Sequence, residues 1–458
     1  MREPMIRHAY NAALLATAAP VFGYLAWCSA RERGGMGLAQ RLGLSAPLPW
    51  APRGRVWIHG ASAGEVSVAS PIVRQLRFHQ PRLDLVLSST TGSGRHMALS
   101  LGLQQAHLRT LPVDWPWCVS SALHRFKPSA IVLVEGEIWP NLTHLAHQLG
   151  IPVLMVNGRL SDRGMERRLR LPALSAWPLG RMDYLGMQTQ VDADRVLRLG
   201  GRPECVEVVG NAKFDQELGP LPAAEVAALR ESLGLGWGTR LLLAGSTHRG
   251  EESEILDAFV ALSKRDQRLR LALAPRETGR IQEVQALVRS RGLSCCFRTR
   301  PLPATTLGAS TVRVIDTMGE LGRLYAAASL AFVGGTLVQV GGHNLLQPVA
   351  QGVPVLFGPH TGNTRDVADM LLREGVGFRV EDQSSVVAHA SALLEDPGAL
   401  RSLRGRCLAS VERGRGASAC YADRILRSLE RSRDLGRSPR TQARGPAANA
   451  LRDDALAR

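Results

Sequence analysis

Three acids and one lysine occupy positions where chemistry is possible. Glu65 ends the small-residue turn "HGASAGE" between the apolar run at Val56–Ile58 and a helical pattern. Ser62-Ala63-Gly64-Glu65 has the S-x-x-E spacing of a capping box, in which the acid only bonds backbone N–H groups at the helix start. The same carboxylate is stabilised as an anion by the helix N-terminus and can act as a general base on a hydroxyl within reach. Glu135 and Glu137 follow the apolar run "AIVLV". Alternation along an extended chain sends them to opposite sides, one toward a cleft and the other to a helix start or an arginine. A glycosidase-type acid pair would need them to converge, which i, i+2 spacing on a strand disfavours. Asn211, Lys213 and Asp215 lie in "VEVVGNAKFD". Lys213 either forms a surface pair with Asp215 or offsets a phosphate or carboxylate. It is one of only three lysines among 56 basic residues, in a chain that otherwise uses arginine.

The second half offers binding groups rather than reagents. "RLALAPRE" ends an apolar run at Arg276, a phosphate contact by type. Thr317 and Glu320 in "IDTMGELGRLY" again have capping-box spacing. In "FVGGTLVQVGGHNLLQPVAQGVPVLFGPH" paired glycines leave a strand and His343-Asn344 opens a helix. Glycines permit close backbone approach, and free N–H groups at a helix start bind phosphate, so a nucleotide site is expected here. Asp192-Ala193-Asp194 matches a metal-chelating D-x-D. It heads an amphipathic helix, where first-turn acids complement the dipole, and is read as structural. "GSTHRGEE" has one histidine and two acids but no second ligand set, so no metal site is expected.

The elements that must position these groups are short apolar runs alternating with helical patterns: "RVWIH", "LDLVLS", "AIVLVE", "PVLMVN", "DYLGM" and "VEVVG", then "RLLLAGS", "RLALAPR", "VRVID", "LAFVGG", "VPVLFG" and "VGFRV". Such runs are parallel strands buried on both faces. Two sets imply two doubly wound α/β domains, over residues 55–216 and 238–431, joined by a linker at 217–237. Ligands of open α/β sheets bind at the carboxyl ends of the strands, where most of the residues above fall. Residues 432–458 lack apolar periodicity and are expected to be a disordered basic tail.

Residues 1–54 differ. No charge occurs from Ala9 to Ala30, and arginines flank the stretch. As one helix it would span roughly 33 Å, about one hydrocarbon core, so a single membrane-anchoring helix is expected, followed by a basic linker; an interfacial helix or a cleaved signal peptide are the other readings. The formal charge is +16, and residues 401–458 hold 14 arginines against six acids. Excess charge gathered in a tail without interleaved aromatics points away from nucleic acid. Seven cysteines without a C-x-x-C suggest neither a disulfide framework nor zinc.

The ordered stretches "SAGEV", "STTGSGR", "PVDWP", "VEGEIWPN", "VNGRLSDR", "GNAKFD", "GSTHRGEE", "DTMGELGRLY", "FVGGTLV" and "GGHNLLQPVAQGVPVLFGPHTGN" resemble the bacterial 3-deoxy-D-manno-octulosonic acid (Kdo) transferases of lipid A assembly. The resemblance implies a GT-B glycosyltransferase, with two Rossmann-like domains facing across a cleft, at the cytoplasmic face of the inner membrane. It implies inverting, metal-independent transfer of Kdo from CMP-Kdo to a lipid A precursor (lipid IVA) at an anionic lipid surface, with no cofactor. Glu65 would be the proton acceptor, and Glu135 and Lys213 the groups supporting the transition state. The CMP contacts would be Pro275 and Arg276, then Met318, Gly319 and Glu320, then Asn344, Leu345, Leu346 and Gln347. Three positions depart from the family pattern: Gly136 replaces a threonine, Ala212 a leucine, and Gln347 the acid that in GT-B enzymes typically holds the ribose. A neutral acceptor there weakens donor binding by about 1–2 kcal/mol. "PRETGR" also departs, so Arg276 is the secure match in that stretch. Another GT-B sugar-nucleotide enzyme, such as a lipid A disaccharide synthase or a UDP-sugar epimerase, fits the two sets of strands but not the ordered motifs. A non-catalytic lipid- or nucleotide-binding protein would require decay at Gln347.

Overall fold

The computed structural model describes residues 2–31, 37–216, 219–302 and 307–437. The chain divides into two units, residues 1–216 with 415–458, and residues 217–414. Residues 432–437 continue a helix; the remainder of the expected tail, 438–458, lies outside the described residues, as do 32–36 and 217–218 of the two linkers.

The first unit is a seven-stranded parallel sheet: β1 Arg55–His59, β2 Asp84–Ser89, β3 His107–Thr110, β4 Ala130–Val134, β5 Val153–Gly158, β6 Tyr184–Met187 and β7 Val206–Val208, in the order β3-β2-β1-β4-β5-β6-β7. Alternation in β1 divides the core. Val56 and Ile58 pack with Val66, Ile72 and Leu76 of the Ala63–His79 helix and with Tyr421, Ile425 and Leu429 of the Ala417–Arg437 helix. Trp57 points to the other face, against Phe126, edge to face at 5.0 Å. Each such fully buried side chain stabilises the fold by about 1.5–3 kcal/mol. The Ala417–Arg437 helix therefore belongs to the first sheet, although strand succession assigns it to the second. Its N-terminus is held by Asp215, which accepts from Gly416 N at 2.8 Å and Ser418 N at 2.7 Å.

The second unit repeats the plan with β8 Arg240–Thr247, β9 Leu269–Pro275, β10 Ser294–Phe297, β11 Thr311–Val314, β12 Leu330–Val333, β13 Val355–Phe357 and β14 Gly377–Arg379, in the order β10-β11-β9-β8-β12-β13-β14. The stretch expected as a linker includes the Ala223–Ser232 helix, whose Arg230 donates to Ala327 O at 2.9 Å and Thr239 O at 2.8 Å. In each sheet the chain crosses to the other side of its first strand, between β1 and β4 and between β8 and β12, although in the second sheet β10 lies outside β11. Those switch points open a crevice at the carboxyl edge, where such folds bind ligands.

The N-terminal segment corrects the single-helix expectation. It forms two helices, Arg2–Ala16 and Ala18–Arg31. No single helix among the described residues is long and apolar enough to cross a membrane; by length and composition the bent pair Pro4–Ala16 and Ala18–Trp27 qualifies, with a 53° bend between them. Pro20 explains the break, since it has no N–H to give the Ala16 carbonyl and its ring would clash there. At the break Thr17 Oγ1 donates to Ala13 O and Leu14 O, both at 3.1 Å. The first helix is also tied to the sheet unit by polar bonds. Tyr10 donates to Asp114 at 3.0 Å, Asn141 Nδ2 to Asn11 at 2.8 Å, and Arg7 to His144 Nε2 at 2.7 Å.

Candidate functional site

In the first unit the carboxyl ends of β1, β4 and β5 and the loop after β7 bring the acids together. Ser62 caps the Ala63–His79 helix, its hydroxyl accepting from Glu65 N at 3.3 Å. The Glu65 carboxylate does not close a strict capping box: it accepts from Ala61 N at 2.6 Å, one residue before the cap. Glu65 thus combines both sequence readings, anchored to the turn and still half-exposed. Its pKa is pushed up to about 7, first by burial and then by the charges of Glu137 and Glu135, against the lowering effect of the Ala61 bond. A carboxylate poised there is ionised enough, and basic enough, to take a hydroxyl proton.

Glu135 and Glu137 take different partners, as their alternation predicts, and Glu135, directly after β4, is left-handed at φ +59. A non-glycine residue in that conformation costs on the order of 1–3 kcal/mol and is typical of functional sites. Both acids then act on Glu65. Glu135 Oε1 lies 3.5 Å from Lys213 Nζ, so Lys213 pairs with Glu135 and not with Asp215. Buried Asn157, also left-handed at φ +53, splints this pair. Its Oδ1 accepts from Ala212 N at 2.8 Å and its Nδ2 reaches Glu135 at 3.5 Å. Asn211 Oδ1 accepts from Lys213 N at 2.9 Å. Glu137 accepts from Trp139 Nε1 at 2.8 Å and lies 3.7 Å from His59 Nε2. Burial raises its pKa, but His59, Trp139 and Arg168 outweigh that and hold it below the usual carboxylate range. Glu65, Glu135 and Lys213 were singled out in the sequence; their neighbours His59, which reads as the last residue of a buried strand, and Asn157, an amide ending an apolar run, were not.

In the second unit the expected donor residues also sit after strands. Pro275 ends β9, and exposed Arg276 donates its backbone N–H to Thr247 O at 2.9 Å. Met318 is 64% exposed and Gly319 has φ +87, an open turn after β11. Glu320 stands at the N-cap position of the Leu321–Leu324 helix, but its side chain does not cap it: Arg298 donates to both its oxygens, at 3.3 and 3.4 Å, and Thr317 to one. Asn344 Oδ1 accepts from Leu346 N at 3.0 Å, and the Gln347 side chain packs against Gly322 beside the Glu320 turn. Leu345 and Leu346 are 0% and 1% exposed, so as side chains they are core and not ligand contacts.

The N–H groups at the first glycine pair are occupied within the protein. Fully buried Glu251 accepts from Gly335 N at 2.8 Å, Thr336 N and Leu337 N at 2.9 Å, and His248 N at 2.9 Å. Glu252, equally buried, pairs with Arg280 at 3.1 Å. What remains near the β8–β12 switch point is a histidine pair that the motif reading did not assign. His248 and His343 stack with centroids 5.1 Å apart and Nε2 atoms at 2.8 Å. Burial, then His248 and Arg276, push the pKa of His343 down to about 4. Asp192 of the D-x-D accepts from Leu160 N at 2.9 Å and from Thr189 Oγ1 at 2.6 Å, a structural role as expected.

The family model described as 3-deoxy-D-manno-octulosonic-acid transferase (kdotransferase) matches residues 36–216. A 3-deoxy-D-manno-octulosonic acid transferase of Bordetella pertussis is 30% identical over 452 residues, covering 94% of this chain and 99% of that one. A bifunctional glycosyltransferase/methyltransferase of Fusobacterium nucleatum is 34% identical over 334 residues, 72% of this chain; the match spans about half, 51%, of that longer protein. Among solved structures, the UDP-GlcNAc 2-epimerase of Neisseria meningitidis bound to UDP-GlcNAc aligns with a TM-score of 0.55 at 12% identity, over 82% of this chain and 100% of that one, which speaks to the two-sheet fold alone.

Proposed function

The chain belongs to the 3-deoxy-D-manno-octulosonic acid transferase family and is a glycosyltransferase, and on that footing we propose that it transfers Kdo from CMP-Kdo to a lipid A precursor, lipid IVA, in lipopolysaccharide biosynthesis. The observation that carries this reading is Glu65, a near-neutral carboxylate beside the Glu135–Lys213 pair at a sheet switch point. Glu65 removes the proton of the acceptor hydroxyl as that oxygen attacks the anomeric carbon, with inversion. The Lys213 ammonium, steadied by Glu135, offsets the sugar carboxylate or the departing phosphate. CMP leaves as an anion, so neither a metal nor a cofactor is needed. In the second unit Arg276 and the turns at Met318–Glu320 and Asn344–Gln347 receive the nucleotide, with Leu345 and Leu346 supporting from the core.

The bent N-terminal pair lies along the cytoplasmic face of the inner membrane instead of spanning it. Its first helix is committed to the body through Arg7, Tyr10 and Asn11, while Met5, Leu15, Phe22, Tyr24 and Trp27 remain exposed. Aromatic and aliphatic groups next to arginines suit an anionic interface.

The test is purified protein with CMP-Kdo and a tetra-acylated acceptor, products read by mass spectrometry. A Kdo adduct is expected, CMP competing with the donor better than UDP. Glu65→Gln should lower turnover by at least about 100-fold while CMP-Kdo binding persists. No adduct, or a Glu65→Gln variant at wild-type rate, rejects the assignment.

A further inference from the structure

We infer that Arg298 is a positioning residue of the nucleotide site: by pairing with Glu320 it fixes the Met318–Gly319 turn and lets the second unit select a phosphorylated nucleoside over the bare nucleoside. This rests on the reading of that turn as a nucleotide contact and adds to it the group that decides the turn's charge.

The turn is an open platform between two acids. Met318 is exposed, and a Cβ added to left-handed Gly319 would meet nothing within 4 Å. Asp316 stands before the turn and Glu320 after it, and both reach back to the loop that follows β10. Asp316 accepts from Thr299 N at 2.9 Å and from Thr299 Oγ1 at 2.5 Å, so its donors are neutral. Glu320 meets a cation. Arg298 Nε lies 3.3 and 3.4 Å from its two oxygens, and Nη2 lies 3.3 Å from Oε2. The remaining terminal nitrogen, Nη1, donates to Ser232 O at 3.1 Å, the last residue of the Ala223–Ser232 helix. The Arg298 backbone N–H donates to Val314 O of β11 at 2.8 Å. One guanidinium thus braces a helix end against the turn, which a point-charged lysine ammonium cannot do with the same planar fork. The two side chains are 19% and 29% exposed, so the pair is more shielded than a solvated surface contact.

The consequence is a matter of charge. Among the described residues Arg298 is the one cation that pairs with Glu320, and Asp316 has none. With Arg298 in place the two acids leave one net negative charge on the turn; without it they leave two. A nucleoside monophosphate brings a phosphate of about −1.5 to −2, whereas the bare nucleoside brings no charge. Repulsion from an unpaired Glu320 therefore falls on the phosphate, while base and ribose pay nothing. Arg298 removes that repulsion without offering a free cation of its own, since its three nitrogens are already engaged.

The test is the binding of CMP and of cytidine to the full-length protein in detergent, read by ligand-observed NMR at low salt. Arg298→Met should weaken CMP about 5–20-fold and cytidine by less than about 3-fold, the size expected of one uncompensated charge near a dianion. Adding Glu320→Gln to that variant should return CMP to within about 3-fold of wild type, because the charge leaves with its counterion. Raising the salt should narrow the gap between Arg298→Met and wild type. A residue that merely supports folding would lower the melting temperature and weaken both ligands alike, and such parallel weakening overturns the inference. So does a double variant that binds CMP no better than Arg298→Met, which would mean that Glu320 itself holds the nucleotide. If Arg298→Met does not fold, Glu320→Gln alone decides: CMP should bind at least as tightly as to wild type, since Arg298 is then an unpaired cation, and weaker binding overturns the inference. Wild-type protein that binds no CMP overturns the nucleotide reading and this inference with it. CMP binding with a CMP-to-cytidine ratio unmoved in Arg298→Met overturns this inference alone.

Discussion

The two switch points are built from similar strands and use their charges in opposite ways. In the first unit the charges of Glu137 and Glu135 both act on Glu65, and among the described residues only Glu135 of the three is directly paired with an ammonium group, that of Lys213. Burial first, and then those two charges, make Glu65 basic. In the second unit the acids are spent inside the protein: Glu251 on four backbone N–H groups, Glu252 on Arg280, Glu320 on Arg298. What remains open there is neutral or cationic, a histidine pair and Arg276. A reagent needs an uncompensated group, whereas a pocket for an anionic nucleotide needs its acids hidden. Whether a carboxylate is satisfied thus separates chemistry from scaffolding better than its place after a strand.

The largest effect expected from this contrast is at the hidden acid. Glu251→Gln keeps the shape, but an amide can accept from only part of the backbone cluster and turns its NH₂ toward the rest. Buried N–H groups left unsatisfied should cost the second unit about 3–5 kcal/mol. Urea denaturation read by proteolysis within residues 219–414 measures it. A near-neutral result would mean that the cluster is not a structural plug. Smaller is Lys213→Met, which leaves Glu135 unpaired beside Glu65. It should lower kcat/KM by about 10–100-fold, or roughly 1.4–2.7 kcal/mol, with melting behaviour little changed. A loss confined to stability would return Lys213 to the surface-pair reading.

Legibility in the sequence follows the same division. Twelve apolar runs located twelve strands, and the two that escaped, β3 and β10, are the edge strands on one side of each sheet. "HLRT" and "SCCF" are partly exposed and carry no continuous apolar run. Glu65, Glu135 and Lys213 were legible because polar residues ending buried strands stand out. The left-handed backbone of Glu135 was not, since it falls in a run that reads as extended. The plug at Glu251 was hidden for a related reason: three of its four partners are backbone groups 84 to 86 residues away, and backbone donors leave no mark on a sequence. Leu345 and Leu346 show the converse error, in which a motif was carried over whole although two of its side chains face the core.

The smallest effect tests the contrast through pH. In the first unit buried Asp114 has its pKa raised to about 7, by burial above all, with the N–H groups of Asn141 and Leu142 and the Tyr10 hydroxyl opposing. Glu65 is raised to about the same value. A raised acid binds its proton more tightly folded than unfolded, so its contribution is complete below the unfolded value of about 4 and is lost as pH rises through about 7. In the second unit His343 is lowered to about 4, so its contribution is complete above about 6.5 and is lost as pH falls through about 4. Between pH 5 and 7.5, therefore, these groups tilt the two units in opposite directions. Hydrogen exchange on peptides from each unit, followed across that range, should find protection declining with pH in the first and rising in the second. Asp114→Asn should flatten the first slope, even though an amide satisfies Asn141 N and Leu142 N less well and lowers stability at every pH. His343→Asn should flatten the second. Parallel slopes, or slopes indifferent to these substitutions, would mean that other ionisations dominate and that the opposed use of charge ends at the two sites.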